Sequence, residues 1–285
     1  MTKFTMLVIG LLISVQIITP QTPRDLRSFY GDALSDMERA FEQNDFLAED
    51  EYYLGRAVAA NILASYRPYT GNPELTRYVN RICQTIVINS VQPIIFKNYY
   101  VIILDSLEFN AMATPGGHIF ITRGLVEAAT SEDMLAAVIA HELVHVMLKH
   151  SIDVIEEMKI TGEMSAMADR GAALTGGSEA ANRLLSFRNS VSAVIDTLVK
   201  NGFSQAQEFE ADREAAALLA ASGYNPWALP EMLQILQRVQ AAQRGGFNTT
   251  HPSPSERIEN VEGSIRLYRI EDTRSYRALR FRNIR

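Results

Sequence analysis

The stretch His141-Glu142-Leu143-Val144-His145 decides the reading of this chain. On an α-helix, residues four apart share a face, so the two imidazoles stand one turn apart and can grip one metal ion. Glu142 lies beside them, where it can take a proton from a water on that ion. Two histidines, a carboxylate ligand and a separate glutamate base are the donor set of a metal-dependent peptidase that uses zinc. The helix has its own signals. Thr130 with Asp133 makes a capping box, with Asp in place of the usual Glu or Gln, and Glu132 and Asp133 suit the positive end of the helix dipole. Leu135, Val138, Ile139, Val146 and Leu148 are spaced to bury much of the segment, with no Gly or Pro before Gly162. A buried helix carrying two histidines and a glutamate needs partners for those polar groups, and a metal provides them. Taken alone, the pentapeptide also suits two hydrogen-bonded core histidines.

A third ligand candidate lies downstream. Ser204 to Asp212 opens another helix, with Ser204 as its cap. Glu208 and Asp212 are four apart and share a face. A glutamate can bind zinc directly, and an aspartate one turn on can accept the N–H of a ligand histidine and fix its tautomer. Glu210 points elsewhere, toward solvent. Without the first motif, this acidic run would read as a solvent-facing helix start.

The two motifs together, with Glu208-Phe209-Glu210-Ala211-Asp212 following the HExxH pentapeptide, resemble the family of CAAX prenyl proteases, HtpX and OMA-type zinc peptidases. These are gluzincins, whose third zinc ligand is a glutamate. Other stretches carry the same resemblance: Asn110-Ala111 and Pro115 to Leu125 ahead of the helix, His251-Pro252 with Arg257-Ile258, and Glu51 to Arg56 with Tyr78 to Arg81 near the start. The resemblance implies that His141, His145 and Glu208 bind one Zn2+ per chain. It makes Glu142 the general base and Asp212 the support of a ligand histidine. A developing oxyanion needs a donor besides the metal, and His251 is the candidate. In relatives the matching histidine sits by the zinc and can instead close the site as a fourth ligand; a loop histidine before a proline is the plainer alternative. Arg257 is expected to orient His251 or the substrate.

The expected fold class is α+β: a mostly helical, zincin-like metallopeptidase domain with a small antiparallel sheet beside the HExxH helix. Tyr99–Leu104, Glu108–Met112 and His118–Thr122 read as strands, and Pro115-Gly116-Gly117 as a turn. An exposed strand edge suits an extended peptide held through its backbone. Elsewhere the chain reads as helix, over Asp25–Phe41, Glu49–Ser65, Pro73–Ile88, an intervening hairpin of Ile152–Asp169 and Ser178–Asn201, Pro226–Arg244 and Ser253–Tyr268. Residues 1–23 are expected to be a signal peptide or N-terminal anchor, 24–270 the metallopeptidase domain, and 271–285 a basic tail. Lys3 and the apolar run Met6–Ile18 carry the first of these expectations, being short for a membrane span. They imply an exported protein, of a bacterial periplasm or held on the periplasmic side of a membrane by that segment.

Composition excludes little but excludes it clearly. Hydrophobic residues make up 47% and charged residues 21%, as in a domain with a sizeable core. A net charge of −6 gives no electrostatic support for a nucleic-acid role. Cys83 is the single cysteine, so no intramolecular disulfide forms; it reads as buried and inert. The resemblance implies an endopeptidase acting on unfolded or misassembled cell-envelope proteins. The competing class is a non-catalytic chaperone or assembly factor on the same fold, with a closed zinc site.

Overall fold

The HExxH pentapeptide sits on helix α4 (Glu132–Met147), and the rest of the fold is arranged around it. In the computed structural model, residues 47–160, 202–242, 253–268 and 273–284 are described. The N-terminal segment 1–23, the helix expected over Asp25–Phe41, residues 161–201 of the expected hairpin and His251 lie outside them. Ahead of α4 come α1 (Ala48–Ser65), α2 (Pro73–Val87), strands β1 (Tyr100–Leu104), β2 (Ala111–Thr114) and β3 (His118–Thr122), and the short α3 (Arg123–Ala128). After it come α5 (His150–Ile160), α6 (Gln205–Ala221), α7 (Ala228–Ala242), α8 (Pro254–Ile265) and α9 (Arg274–Ile284). Among the described residues, no helix is long and apolar enough to cross a membrane.

Nearly every residue of α4 is buried, because α6, α2, α7 and β2 all pack on it. Its apolar residues Leu135, Ile139 and Leu143 join Val79, Ile82, Ile86, Ile119, Ile121, Ala215 and Leu219 in one core. Cys83 is inside this core on α2, where burial pushes its thiol up to about 12, so it stays a small apolar filler.

The sheet corrects one expectation. It is mixed, not antiparallel throughout: the order is β1-β3-β2, with β1 parallel and β2 antiparallel to β3. The turn at Pro115–Gly117 makes β2 and β3 a hairpin. The link over 105–110 is long enough to carry the chain past the place that β3 later fills. The outer edge of β1 is closed, since Tyr69 N–H donates to the Ile103 carbonyl, Asp105 N–H to that of Arg67, and the Asn80 side chain takes both backbone groups of Val101. Among the described residues, β2 is the edge without a further strand.

The start of α4 also differs from its expected capping. Ser131, not Thr130, is the cap, its Oγ accepting from Met134 N–H at 3.2 Å. Asp133 is taken by tertiary partners: it accepts from Asn225 N–H at 2.8 Å and from Arg277 at 2.9 and 2.7 Å. Glu132 accepts from Tyr78, Tyr224 and Arg280. Within the basic stretch, Arg274–Ile284 forms α9, whose Arg277 and Arg280 neutralise the two acids that open α4.

One glycine shows how tightly α1 is seated. A Cβ at Gly55 would lie 1.7 Å from the Pro115 carbonyl oxygen, and Gly116 (φ +71°) abuts the Tyr52 backbone from the other side. In an exposed helix, Gly→Ala stabilises by about 0.5–1 kcal/mol. Here the sign should reverse: Gly55→Ala is expected to lower stability by about 1–3 kcal/mol through forced backbone separation, read from urea unfolding of the chelator-treated protein.

Candidate metal centre

Helices α4 and α6 cross so that three side chains meet. The His141 and His145 Nε2 atoms are 3.0 Å apart. Glu208 Oε2 lies 3.4 Å from the first and Oε1 3.5 Å from the second. The α6 turn that brings Glu208 here is built by a capping box in which Ser204 accepts from Gln207 N–H and Gln207 reaches back to Ser204 N–H. Among the described residues, His141, His145 and Glu208 are the cluster of this kind, and all three are buried.

The donor set fits a tetrahedral divalent ion. With bonds of about 2.1 Å, such an ion holds its ligand atoms about 3.4 Å from one another, close to the three separations seen. The electrostatics agree. Burial and the Arg257 charge push the His141 pKa down, yet hydrogen bonds to Asp212 and Glu208 outweigh them and lift it to about 9. The gap between the three donors therefore favours a cation, and a proton and a metal compete for it.

The ligands are held from behind. Asp212 Oδ1 lies 3.0 Å from His141 Nδ1, which leaves Nε2 facing the gap with its lone pair. Arg257, on α8, is 1% exposed. It grips Asp212 with Nε at 2.7 Å and a terminal nitrogen at 2.6 Å, and reaches Glu208 at 3.0 Å; His251, which it is expected to orient, lies outside the described residues. Burial works against the guanidinium charge, but Asp212, then Glu208 and Glu142, outweigh it and raise its pKa. Burial likewise tends to raise Asp212, and Arg257 overrides this to hold the carboxyl below the usual range. Glu142 is 1% exposed and follows His141 on the helix, so it belongs to the same buried group of charges.

Two neighbours of the site were not read from the sequence. His150 Nδ1 lies 2.9 Å from His145 Nδ1, and the Phe203 ring stacks on His145 with centroids 4.0 Å apart and planes 14° apart. The α4 helix ends at Leu148, and Lys149 (φ +58°) turns the chain so that His150 faces back toward His145. A left-handed residue is usually signalled by Gly or Asn, and Lys149 gives no such signal. Glu210, expected in solvent, is half-exposed, with a carboxylate oxygen 3.4 Å from His150 Nε2. His118 stacks on Tyr52.

Comparison with known proteins agrees with this geometry. The model of peptidase family M48 matches residues 72–265, well over half of the chain. The Beta-barrel assembly-enhancing protease of Escherichia coli (strain K12) is 26% identical over 198 residues, 68% of this chain and 39% of that protein. The Mitochondrial metalloendopeptidase OMA1 of Schizosaccharomyces pombe is 26% identical over 242 residues, 84% of this chain and 64% of that protein. The Metalloprotease LoiP of Escherichia coli (strain K12) is 29% identical over 170 residues, 60% of this chain and 62% of that protein. The chain thus spans about two-fifths of the length of the assembly-enhancing proteases it matches. The matched region contains both motifs and Arg257, and this chain belongs to peptidase family M48.

Proposed function

We propose that this protein is a zinc-dependent endopeptidase that cuts misfolded or misassembled proteins of the cell envelope. The observation that carries the reading is the convergence of His141, His145 and Glu208 at ligand-to-ligand spacing, with Glu142 next to them on the helix. When bound, the zinc supplies a Lewis acid that polarises the scissile carbonyl and brings the pKa of water to roughly 7. Glu142 accepts the proton of the attacking water and hands it to the leaving amine. Asp212 keeps the His141 proton on Nδ1 through the cycle, and Arg257 keeps Asp212 and Glu208 charged. His251 is proposed as the further donor to the oxyanion. The outer edge of β2, beside α4, is proposed as the strand along which an extended peptide lies, its backbone groups giving broad specificity.

The envelope substrate rests on the likeness to β-barrel assembly-enhancing proteases, and export on the apolar run Met6–Ile18. Residues 1–23 are proposed to direct the chain to a periplasm, or to keep it at the membrane there. The test is metal analysis of the purified protein beside cleavage of an unfolded casein-type substrate. One zinc per chain, activity lost to a chelator and restored by zinc support the reading. Protein that binds no zinc under any loading condition would sink it.

A further inference from the structure

The two ligand histidines are supported differently. His141 backs onto a carboxylate, Asp212, whereas His145 backs onto a second imidazole. We propose that His150 is a positioning residue for His145, fixing its tautomer and ring orientation for metal binding. This rests on the proposed reading in which His145 is a zinc ligand.

The tautomers follow from the geometry. His145 Nε2 faces His141 Nε2 and Glu208 Oε1, so it must offer its lone pair there. Its proton is then on Nδ1, and the His150 Nδ1 atom 2.9 Å away has to accept it. His150 therefore carries its own proton on Nε2. That nitrogen faces a Glu210 carboxylate oxygen at 3.4 Å, too long for a well-formed hydrogen bond, but a negative charge that favours a proton there. Glu210 is half-exposed, so its share is the smaller one. His150 itself is only 2% exposed, and its neighbour Phe203 covers the face of His145. With Phe203 against the ring plane and His150 at the ring edge, His145 has one orientation left.

The choice of a neutral partner has an electrostatic reason. Glu208 and Asp212 are already buried carboxylates, met by Arg257 and by the ligand histidines. A further carboxylate behind His145 would add another buried negative charge to this group, whereas a neutral imidazole accepts the same proton without that cost.

His150→Leu keeps an apolar filler but removes the acceptor. His150→Asn puts an amide oxygen where Nδ1 stood. For His150→Leu the expected result is zinc affinity lower by about 10–100-fold, measured by chelator competition, with a changed visible spectrum in the cobalt-loaded protein. His150→Asn should recover most of that affinity. A residue that merely filled the core would change the stability of the chelator-treated protein in both variants without this split. In the zinc-loaded wild type, long-range 1H–15N spectra should show His145 protonated on Nδ1 and His150 on Nε2; this readout stands even where His150→Leu does not fold. A His150 protonated on Nδ1, or His150→Leu binding zinc as tightly as wild type, overturns the proposal. A wild type that binds no zinc overturns the metal-site reading beneath it, and the two failures are thereby told apart.

Discussion

Glu142→Gln is expected to lower peptide hydrolysis by about 10²–10⁴-fold while leaving one zinc per chain. The amide matches the carboxylate in shape, so the packing around a residue 1% exposed is preserved. What disappears is the ability to take a proton from water and give it back. The three donor atoms that meet in the gap belong to His141, His145 and Glu208, so the substitution leaves the ligand set whole. The measurement pairs the cleavage rate of unfolded casein with the zinc content of the same sample. A variant that loses zinc would make Glu142 a structural support of the site. One that keeps both zinc and full activity would remove the general base and with it the proposed chemistry. The same variant separates the two function classes that the sequence left open. A chaperone on this fold needs the charge of Glu142 for nothing, so it should act in cells as well as wild type does.

The parts of the site that were legible in the sequence are those set by helical periodicity. His141 with His145, and Glu208 with Asp212, are i,i+4 pairs, and such a pair shares a face in any helix that forms. The Ser204 cap was legible for a similar reason, since a serine ahead of an acidic helix start acts locally. Where long-range partners compete, local rules lost. Asp133 could have closed a capping box with Thr130, but Arg277, 144 residues away, takes it, and Ser131 caps instead. The β runs identified three strands but not their neighbours, because alternation says nothing about which strand is inserted last. Arg257 was visible as a motif residue; its true partner Asp212 stands 45 residues away and only the crossing of α8 with α6 reveals it. His150 was hidden by a helix break that depends on Lys149 tolerating a left-handed backbone, stabilised here by an ion pair to Glu51 at 2.5 Å.

Arg257→Leu should cost the metal-free protein about 3–5 kcal/mol of stability, the usual penalty for removing one partner of a buried ion pair. Glu208 and Asp212 are both 0% exposed, and Arg257 is the guanidinium that touches both, beside His141. Leucine fills some of the volume but leaves two carboxylates in a dry interior. The loss depends on pH. In the wild type, Asp212 is held below its usual pKa, so its contribution is present at neutral pH and is lost as pH falls through the folded value. In the variant the larger, Arg257 share of that lowering is gone and only His141 opposes burial, so the Asp212 pKa is expected to rise above the unfolded value. Its charge then costs stability at neutral pH, and the cost is relieved as acidification protonates it. The gap between variant and wild type should therefore narrow from pH 7 toward pH 4, measured by urea unfolding in chelator. Zinc should also narrow it at neutral pH, because the ion offsets the Glu208 charge that Arg257 no longer meets. Adding Asp212→Asn to Arg257→Leu removes one stranded charge and should recover part of the loss. A gap that is small, or that does not shrink with either protons or zinc, would mean that Arg257 is held by packing and not by the two carboxylates.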